Sequence, residues 1–298
     1  MTRDGSVRYS SVCTDGKNEY LSHRRAEAGA ACGIIDMTDR RRHAVVLGAS
    51  KEGGTGWAIA ELFASGGYDV TVAARRKDGI ERLAGLIQGH AVTCDVTVES
   101  EVESLAETAV KAAGGPLDTA ILVAGEGVRG AINDIPQAEL DRTLTLNLVG
   151  PVYFIRHMAR RLKPGGSLVL MSSIAATNPW PGYFAYGAAK AGLQALVRYA
   201  ALEYAPRGIR VNAVIPGPID TPTASTLMRN DALRSTLFRE IPLGRTATTT
   251  EVAEAAVWLA TAGRWVTGEC LHVDGGMHLG RPPYPQDFEA ALKEGAKP

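Results

Sequence analysis

The chain has 298 residues, of which 45% are hydrophobic and 21% are charged, a composition typical of soluble globular proteins. Its 32 basic and 32 acidic side chains give a formal net charge of zero, which argues against a general attraction to nucleic acid or to an anionic membrane surface. No apolar run in the sequence approaches the roughly 18 residues of a membrane span. The length fits one large α/β domain.

The ends of the chain differ in pattern from the middle. Residues 1–36 lack helical or strand periodicity and are predicted to form a flexible N-terminal tail. Residues 37–280 are predicted to form the catalytic domain, and residues 281–298 a C-terminal tail that either covers a neighbouring subunit's pocket or is loose. The four cysteines have no paired spacing, and the histidines no metal-ligand spacing. We therefore expect reduced thiols, a cytoplasmic location and no metal site.

Between the tails, strand patterns alternate with helix patterns. Strands are predicted at 44–47, 69–73, 91–94, 119–123, 167–171, 210–215 and 270–273, helices at 57–64, 80–87, 102–113, 139–162, 184–204 and 251–260, and a less regular stretch at 217–245. This alternation predicts parallel strands joined by βαβ crossovers, and near-continuously apolar strands predict helices on both faces. The predicted fold is α/β: a single doubly wound Rossmann domain with a parallel sheet of about seven strands flanked by helices.

A glycine-rich loop follows the first predicted strand. Gly48 ends the strand, Ser50 and Lys51 follow, and Gly54 and Gly56 precede the next helix. Glycines let a backbone turn tightly and approach a pyrophosphate, which the N–H groups of a helix N-terminus then bind. The loop predicts a dinucleotide site, and the alternative is a glycine-rich turn without a ligand.

Two arginines follow the second predicted strand, where NAD-binding enzymes usually have an acidic residue. The sequence there reads Ala73, Ala74, Arg75 and Arg76. Because a guanidinium suits a phosphate monoester, the pair predicts NADP(H) as the cofactor. The alternative is a solvated basic helix cap.

Tyr186 and Lys190 are four residues apart in a predicted helix and so lie on one face. The phenol has an ordinary pKa of about 10, which a nearby ammonium is expected to lower. A tuned acid/base of this kind suits hydride transfer to a carbonyl. Taken alone, the pair could also be an ordinary surface pair.

Other motifs stand in a fixed order around this pair. Ser173 lies thirteen residues before Tyr186, Asn147 lies on the preceding helix, and Val273, Asp274, Gly275 and Gly276 close the pattern. Over residues 42–277 this arrangement resembles the short-chain dehydrogenase/reductase family. Two features depart from it. The glycine loop is two residues longer, as in enoyl-acyl-carrier reductases, and Leu122, Val123, Ala124 and Gly125 stand where the family often has Asn-Asn-Ala-Gly.

The resemblance implies a role for each matching residue. Ser173 would bind the substrate carbonyl, Tyr186 would donate the proton, Lys190 would bind the nicotinamide ribose and tune Tyr186, and Asn147 would hold a proton-relaying water. The family typically pairs its two long helices, here about 139–162 and 184–204, so a homodimer or homotetramer is expected. The implied cofactor contacts are Gly48, Ser50, Lys51, Gly54, Gly56, Arg75, Arg76, Asp95, Val96, Ala124, Gly125, Tyr186, Lys190, Pro216, Gly217, Ile219 and Thr221.

Three functions remain open from the sequence. The leading hypothesis is an NADP(H)-dependent oxidoreductase that interconverts a ketone or aldehyde and an alcohol. The second is an enoyl-thioester reductase that uses Tyr183, seven residues before Lys190. The third is a non-catalytic dinucleotide sensor. A substrate lid is expected at 218–243, and an apolar pocket would suit a cyclic or lipid-like ketone. The candidate pocket residues are Leu227, Met228, Leu233, Phe238, Trp180 and Tyr183.

Overall fold

The computed structural model describes residues 40–220 and 230–295. The strands are β1 (His43–Leu47), β2 (Asp69–Ala74), β3 (His90–Thr93), β4 (Leu117–Leu122), β5 (Leu162–Met171), β6 (Arg210–Pro216) and β7 (Cys270–Val273). The α-helices are α1 (Thr55–Ser65), α2 (Lys77–Ile87), α3 (Glu99–Ala113), α4 (Gln137–Leu144), α5 (Gly150–Arg161), α6 (Phe184–Tyr204), α7 (Asp231–Arg239), α8 (Thr249–Ala260) and α9 (Pro285–Gly295).

The seven strands form one parallel sheet in the order β3-β2-β1-β4-β5-β6-β7. The direction in which successive strands are added to the sheet reverses between β1 and β4, which leaves a crevice at their carboxyl ends where ligands bind in open α/β sheets. The predicted doubly wound Rossmann sheet is confirmed; half of the strand ends differ by one or two residues from the predicted bounds, and β5 begins five residues earlier than predicted.

Hydrophobic side chains cover both faces of the sheet. One core cluster lies between the sheet and α3, α5 and α6, and the other lies between the sheet and α1, α2 and α8. The central strands β1 and β4 are buried along their whole length. This explains why their sequences are largely apolar rather than alternating.

Three segments differ from the sequence expectations. The helix predicted at 139–162 contains a π-helical turn at Thr145–Val149 between α4 and α5. The stretch predicted to be less regular contains α7, which begins at an Asn230 side chain that caps the Leu233 N–H. The predicted C-terminal tail contains α9, which packs against α7. Tertiary contacts, which a single-sequence pattern does not reveal, stabilise the last two helices.

Candidate active site

The glycine loop packs closely against the end of β4. Gly48 has a φ of +110°, and a Cβ atom there would lie 2.5 Å from the Ala124 backbone nitrogen. A Cβ on Gly56 would collide with the Gly48 carbonyl oxygen. Glycine is therefore required at both positions for the loop to turn into α1, whose N-terminus then faces the crevice.

A cavity of about 710 Å³ lies at the carboxyl ends of β1, β2 and β4. The cavity has the size and position expected for a dinucleotide. The glycine loop after β1 borders it and has no side chain at Gly48, so a ligand can approach the backbone there. Thus the residues present fit a nicotinamide dinucleotide. The cavity is lined by Leu47, Gly48, Ser50, Lys51, Ala74, Arg75, Arg76, Cys94, Asp95, Val96, Val123, Ala124, Gly125, Glu126 and Leu146.

Both arginines after β2 face this cavity. The Arg76 guanidinium donates to the Ser50 hydroxyl at 3.1 and 3.2 Å, which links the glycine loop to the end of β2. The Arg75 guanidinium lies 3.9 Å from an Asp95 carboxylate oxygen, and its side chain is 63% exposed. The other Asp95 oxygen accepts the Thr97 N–H and hydroxyl. The crevice thus has two guanidiniums where a ribose-binding acid would otherwise lie.

Ser173, Tyr186 and Lys190 meet between the end of β5 and the first turns of α6. The Lys190 ammonium is buried and donates to the Met171 carbonyl at 2.8 Å, and it lies 5.7 Å from the centre of the Tyr186 ring. Burial lowers the Lys190 pKa to about 8, because removal from water disfavours the ammonium.

The Tyr186 pKa is raised, mainly by burial; a Ser173 hydrogen bond to the phenolate opposes the shift, and Tyr183 reinforces it. The expected lowering of this pKa by Lys190 is therefore wrong for this geometry. Burial of the phenol outweighs any attraction from an ammonium that faces the Met171 carbonyl. Tyr186 keeps its proton and can donate it.

Asn147 lies in the π turn and is fully buried. Its amide nitrogen donates to the Glu126 and Thr143 carbonyls, both at 3.0 Å, and its side-chain oxygen accepts the Glu126 N–H at 3.3 Å. A Cβ on Gly125 would lie 3.0 Å from both the Asn147 side-chain oxygen and the Lys190 nitrogen. Asn147 thus fixes the loop after β4 beside Lys190.

The two tyrosines of the competing hypotheses have different surroundings. Ser173 lies close enough to Tyr186 to oppose the rise of its pKa, whereas the Tyr183 hydroxyl accepts the Arg129 Nε–H at 2.7 Å. The Arg129 guanidinium also lies over the Tyr183 ring, 5.2 Å from its centre. No sequence motif marks Arg129, and only the fold of the loop brings it to Tyr183.

Other predicted residues lie around this centre. Pro216, Gly217 and Ile219 follow β6 at the same carboxyl edge, where Gly217 packs against Asp274 and Ile219 pairs with Ala247. They do not line the large cavity formed by the described residues. Phe238 and Trp180 pack on a small apolar cluster formed by Ile174, Ile215, Leu237, Ile241 and Met277. Thr221, Leu227 and Met228 lie outside the described residues.

One cluster has metal-ligating side chains that the sequence spacing did not reveal. The ligating atoms of His272, Asp274 and His278 lie within 4.8 Å of one another. The two imidazole rings are stacked, with centres 4.1 Å apart and planes at 28°. Both Nδ1 atoms instead approach the Asp274 carboxylate, at 3.2 and 2.8 Å.

The sequence was compared with known families and proteins. Residues 48–278 match the family model described as enoyl-(acyl carrier protein) reductase. The chain is 36% identical over 249 residues to 3beta-hydroxysteroid dehydrogenase 1 of Eggerthella lenta, covering 79% of this chain and 93% of the relative. It is 38% identical over 246 residues to cis-4-hydroxycyclohexanecarboxylate dehydrogenase of Sinomonas cyclohexanicum, covering 79% and 96%.

Similar solved structures belong to the same family as these relatives. A short-chain type dehydrogenase/reductase from Mycobacterium ulcerans superposes with a TM-score of 0.79 and 29% identity, over 86% of this chain and 95% of that chain. The chain belongs to the short-chain dehydrogenase/reductase family. A variant of actinorhodin polyketide ketoreductase, solved with NADPH, superposes with a TM-score of 0.74 and 27% identity over 80% and 97%. The protein is thus an oxidoreductase of a family that transfers hydride with nicotinamide dinucleotides.

Proposed function

We propose that this protein interconverts a secondary alcohol and a ketone with NADP(H), and that Tyr186 donates and accepts the proton. The observation that carries the proposal is that Ser173 and Tyr186 lie together beside the buried Lys190, whose nitrogen is 5.7 Å from the centre of the Tyr186 ring. A bound nicotinamide would supply or accept the hydride. The names of both relatives indicate ring-borne hydroxyl groups, so a cyclic secondary alcohol is the proposed substrate class.

The chain's own residues account for the proton movement. Ser173 would donate a hydrogen bond to the substrate oxygen and polarise the carbonyl. Because burial raises its pKa, Tyr186 holds its proton until charge develops on that oxygen. Lys190 is anchored to the Met171 carbonyl and would reach the nicotinamide ribose. Asn147 holds the loop at Gly125 in place.

The first test replaces the two tyrosines separately. Tyr186→Phe removes the acid at little steric cost and should lower kcat about 10²–10⁴-fold, with NADPH affinity nearly unchanged. Ser173→Ala should also lower kcat strongly. Steady-state reduction of a panel of cyclic ketones, with NADPH binding followed by fluorescence, measures both effects.

Tyr183→Phe is the matched control. Its effect on kcat should be mild, because the Tyr183 hydroxyl contacts Arg129 rather than Ser173. The matching family model is named for enoyl reductases, so an enoyl-thioester reductase using Tyr183 is the second candidate. Loss of activity in Tyr183→Phe, with Tyr186→Phe tolerated and an enoyl thioester reduced, would establish that candidate instead.

The second test concerns the cofactor. Ala74→Asp combined with Arg75→Ala puts a carboxylate near the 2′-position and removes a guanidinium. Preference should shift from NADPH towards NADH by about one to two decades in kcat/KM, since a charge-assisted hydrogen bond contributes ~1.5–3 kcal/mol. Wild-type kinetics that favour NADH would contradict the assignment of Arg75 and Arg76 to the 2′-phosphate.

A further inference from the structure

The loop between β4 and α4 brings a cation to the mouth of the site. The Gly130 N–H donates to the Gly182 carbonyl at 2.8 Å, and Gly130 forms a β-bridge with Tyr183. Arg129, next to this bridge, is exposed. The position of Arg129 is therefore set by backbone contacts rather than by its own side chain.

The Arg129 side chain is oriented by Tyr183 and keeps donors that have no partner among the described residues. Its Nε–H is donated to the Tyr183 hydroxyl and its guanidinium lies over the Tyr183 ring. A guanidinium has five N–H donors, so its two terminal nitrogens keep four. Among the described residues Arg129 forms no ion pair with a carboxylate, whereas Arg142 nearby pairs with Glu126 and Glu139.

The same loop also contacts the proposed proton donor, Tyr186. A Cβ on Gly127 would lie 3.4 Å from the Tyr183 ring and 3.9 Å from the Tyr186 ring. The loop therefore packs against both tyrosine rings at Gly127, two residues before Arg129. A substrate whose carbonyl is at Ser173 and Tyr186 can extend along Tyr183 to Arg129.

We propose that Arg129 is a specificity residue that binds a carboxylate on the substrate, with Tyr183 holding the guanidinium in place. A planar fork with two free terminal nitrogens matches the two oxygens of a carboxylate. The substrate class becomes a cyclic hydroxy or oxo acid, with the acid on the side of the ring away from the reacting carbon. This inference rests on the proposed alcohol–ketone function.

The experiment compares two ketones that differ in one charge, 4-oxocyclohexanecarboxylate and its methyl ester, in the full-length enzyme with NADPH. Wild type should have a kcat/KM at least about tenfold higher for the acid. Arg129→Met should raise KM for the acid about 10–100-fold, leave its kcat within about threefold and leave the ester unaffected. Arg129→Lys keeps the positive charge but loses the planar guanidinium that can bind both carboxylate oxygens, so its KM for the acid should be intermediate.

Two further variants complete the design. Tyr183→Phe keeps the ring but removes the hydroxyl that accepts the Arg129 N–H, so part of the preference for the acid should be lost. Arg264→Met is the control for charge. Arg264 is exposed and lies near Tyr68, which precedes β2 at the amino end of the sheet, away from the proposed site. This variant should leave the ratio of acid to ester unchanged. Equal effects of Arg264→Met and Arg129→Met would overturn the proposal.

A binding measurement separates the two hypotheses. Cyclohexanecarboxylate and its amide are titrated calorimetrically into the protein with NADP⁺ added. If neither ketone is reduced but the carboxylate alone binds and Arg129→Met abolishes binding, the proposed reaction fails and the Arg129 site stands. If the ester is reduced as well as the acid and Arg129→Met changes nothing, the Arg129 site fails and the reaction stands. If nothing is reduced or bound, both are wrong.

Discussion

Lys190 is the residue for which burial has the clearest thermodynamic consequence. Its ammonium is almost fully buried, with one hydrogen bond to the Met171 carbonyl. Burial lowers its pKa from 10.5 to about 8. Because the folded-state pKa is lower than the unfolded value, the unfolded chain binds more protons between these two pH values. The destabilisation caused by the buried charge should therefore diminish as the pH rises through this window.

This predicts a pH-dependent difference between wild type and Lys190→Met. From about pH 8 to pH 10.5 the free energy of unfolding of wild type, relative to the variant, should increase by an amount on the order of 3 kcal/mol, at ~1.4 kcal/mol per pKa unit. Urea unfolding of both proteins at several pH values measures it. The other titrating groups are common to both proteins and cancel. A difference that stays constant with pH would contradict the lowered pKa.

At the scale of elements, the π turn and the C-terminal helix each hold a neighbouring segment in place. The π turn widens the helix where Asn147 must reach both the Thr143 carbonyl and the Glu126 backbone, and π turns are frequent at functional sites. α9 packs against α7. The Arg281 side chain pairs with Asp287 in α9 and lies 3.8 Å from Glu240 at the end of α7.

Removal of α9 should therefore destabilise the packing of α7 against the rest of the domain. Truncation after Tyr284 should raise KM for the ketone several-fold, because α7 contributes Leu237 to the apolar cluster that contains Ile174, the residue after Ser173. NADPH affinity should be unchanged, since the dinucleotide cavity is formed by β1, β2 and β4. Kinetics together with NADPH titration tests this. A loss of NADPH binding would mean that α9 supports the whole domain.

At the scale of the molecule, the exposed faces of α5 and α6 carry apolar side chains. Tyr199 and Leu202 in α6 are 67% and 75% exposed, and a groove of about 350 Å³ between the two helices is lined partly by Val152 and Ile155. Apolar surface of this kind commonly marks an interface between subunits.

In the described part of the chain, every helix is too short or too polar to span a bilayer.

We therefore predict a homodimer or homotetramer that pairs through these helices. Leu202→Glu would place a charge in the centre of the interface and should shift the mass measured by light scattering towards the monomer at micromolar concentration. Leu86→Glu, on the exposed face of α2, is the control and should leave the mass unchanged. A wild-type monomer, or a mass insensitive to Leu202→Glu, would contradict this interface.

The sequence by itself determined the fold class and supplied the candidate site residues. Apolar strands alternating with helices specify a parallel sheet, and the spacings of Gly48, Ser173, Tyr186 and Lys190 are local patterns that survive without coordinates. The tertiary structure alone decided the Arg129–Tyr183 contact, the raised Tyr186 pKa and the packing of α9 on α7. These properties depend on burial and on contacts between residues far apart in the chain, because desolvation and packing arise only when the whole fold has formed.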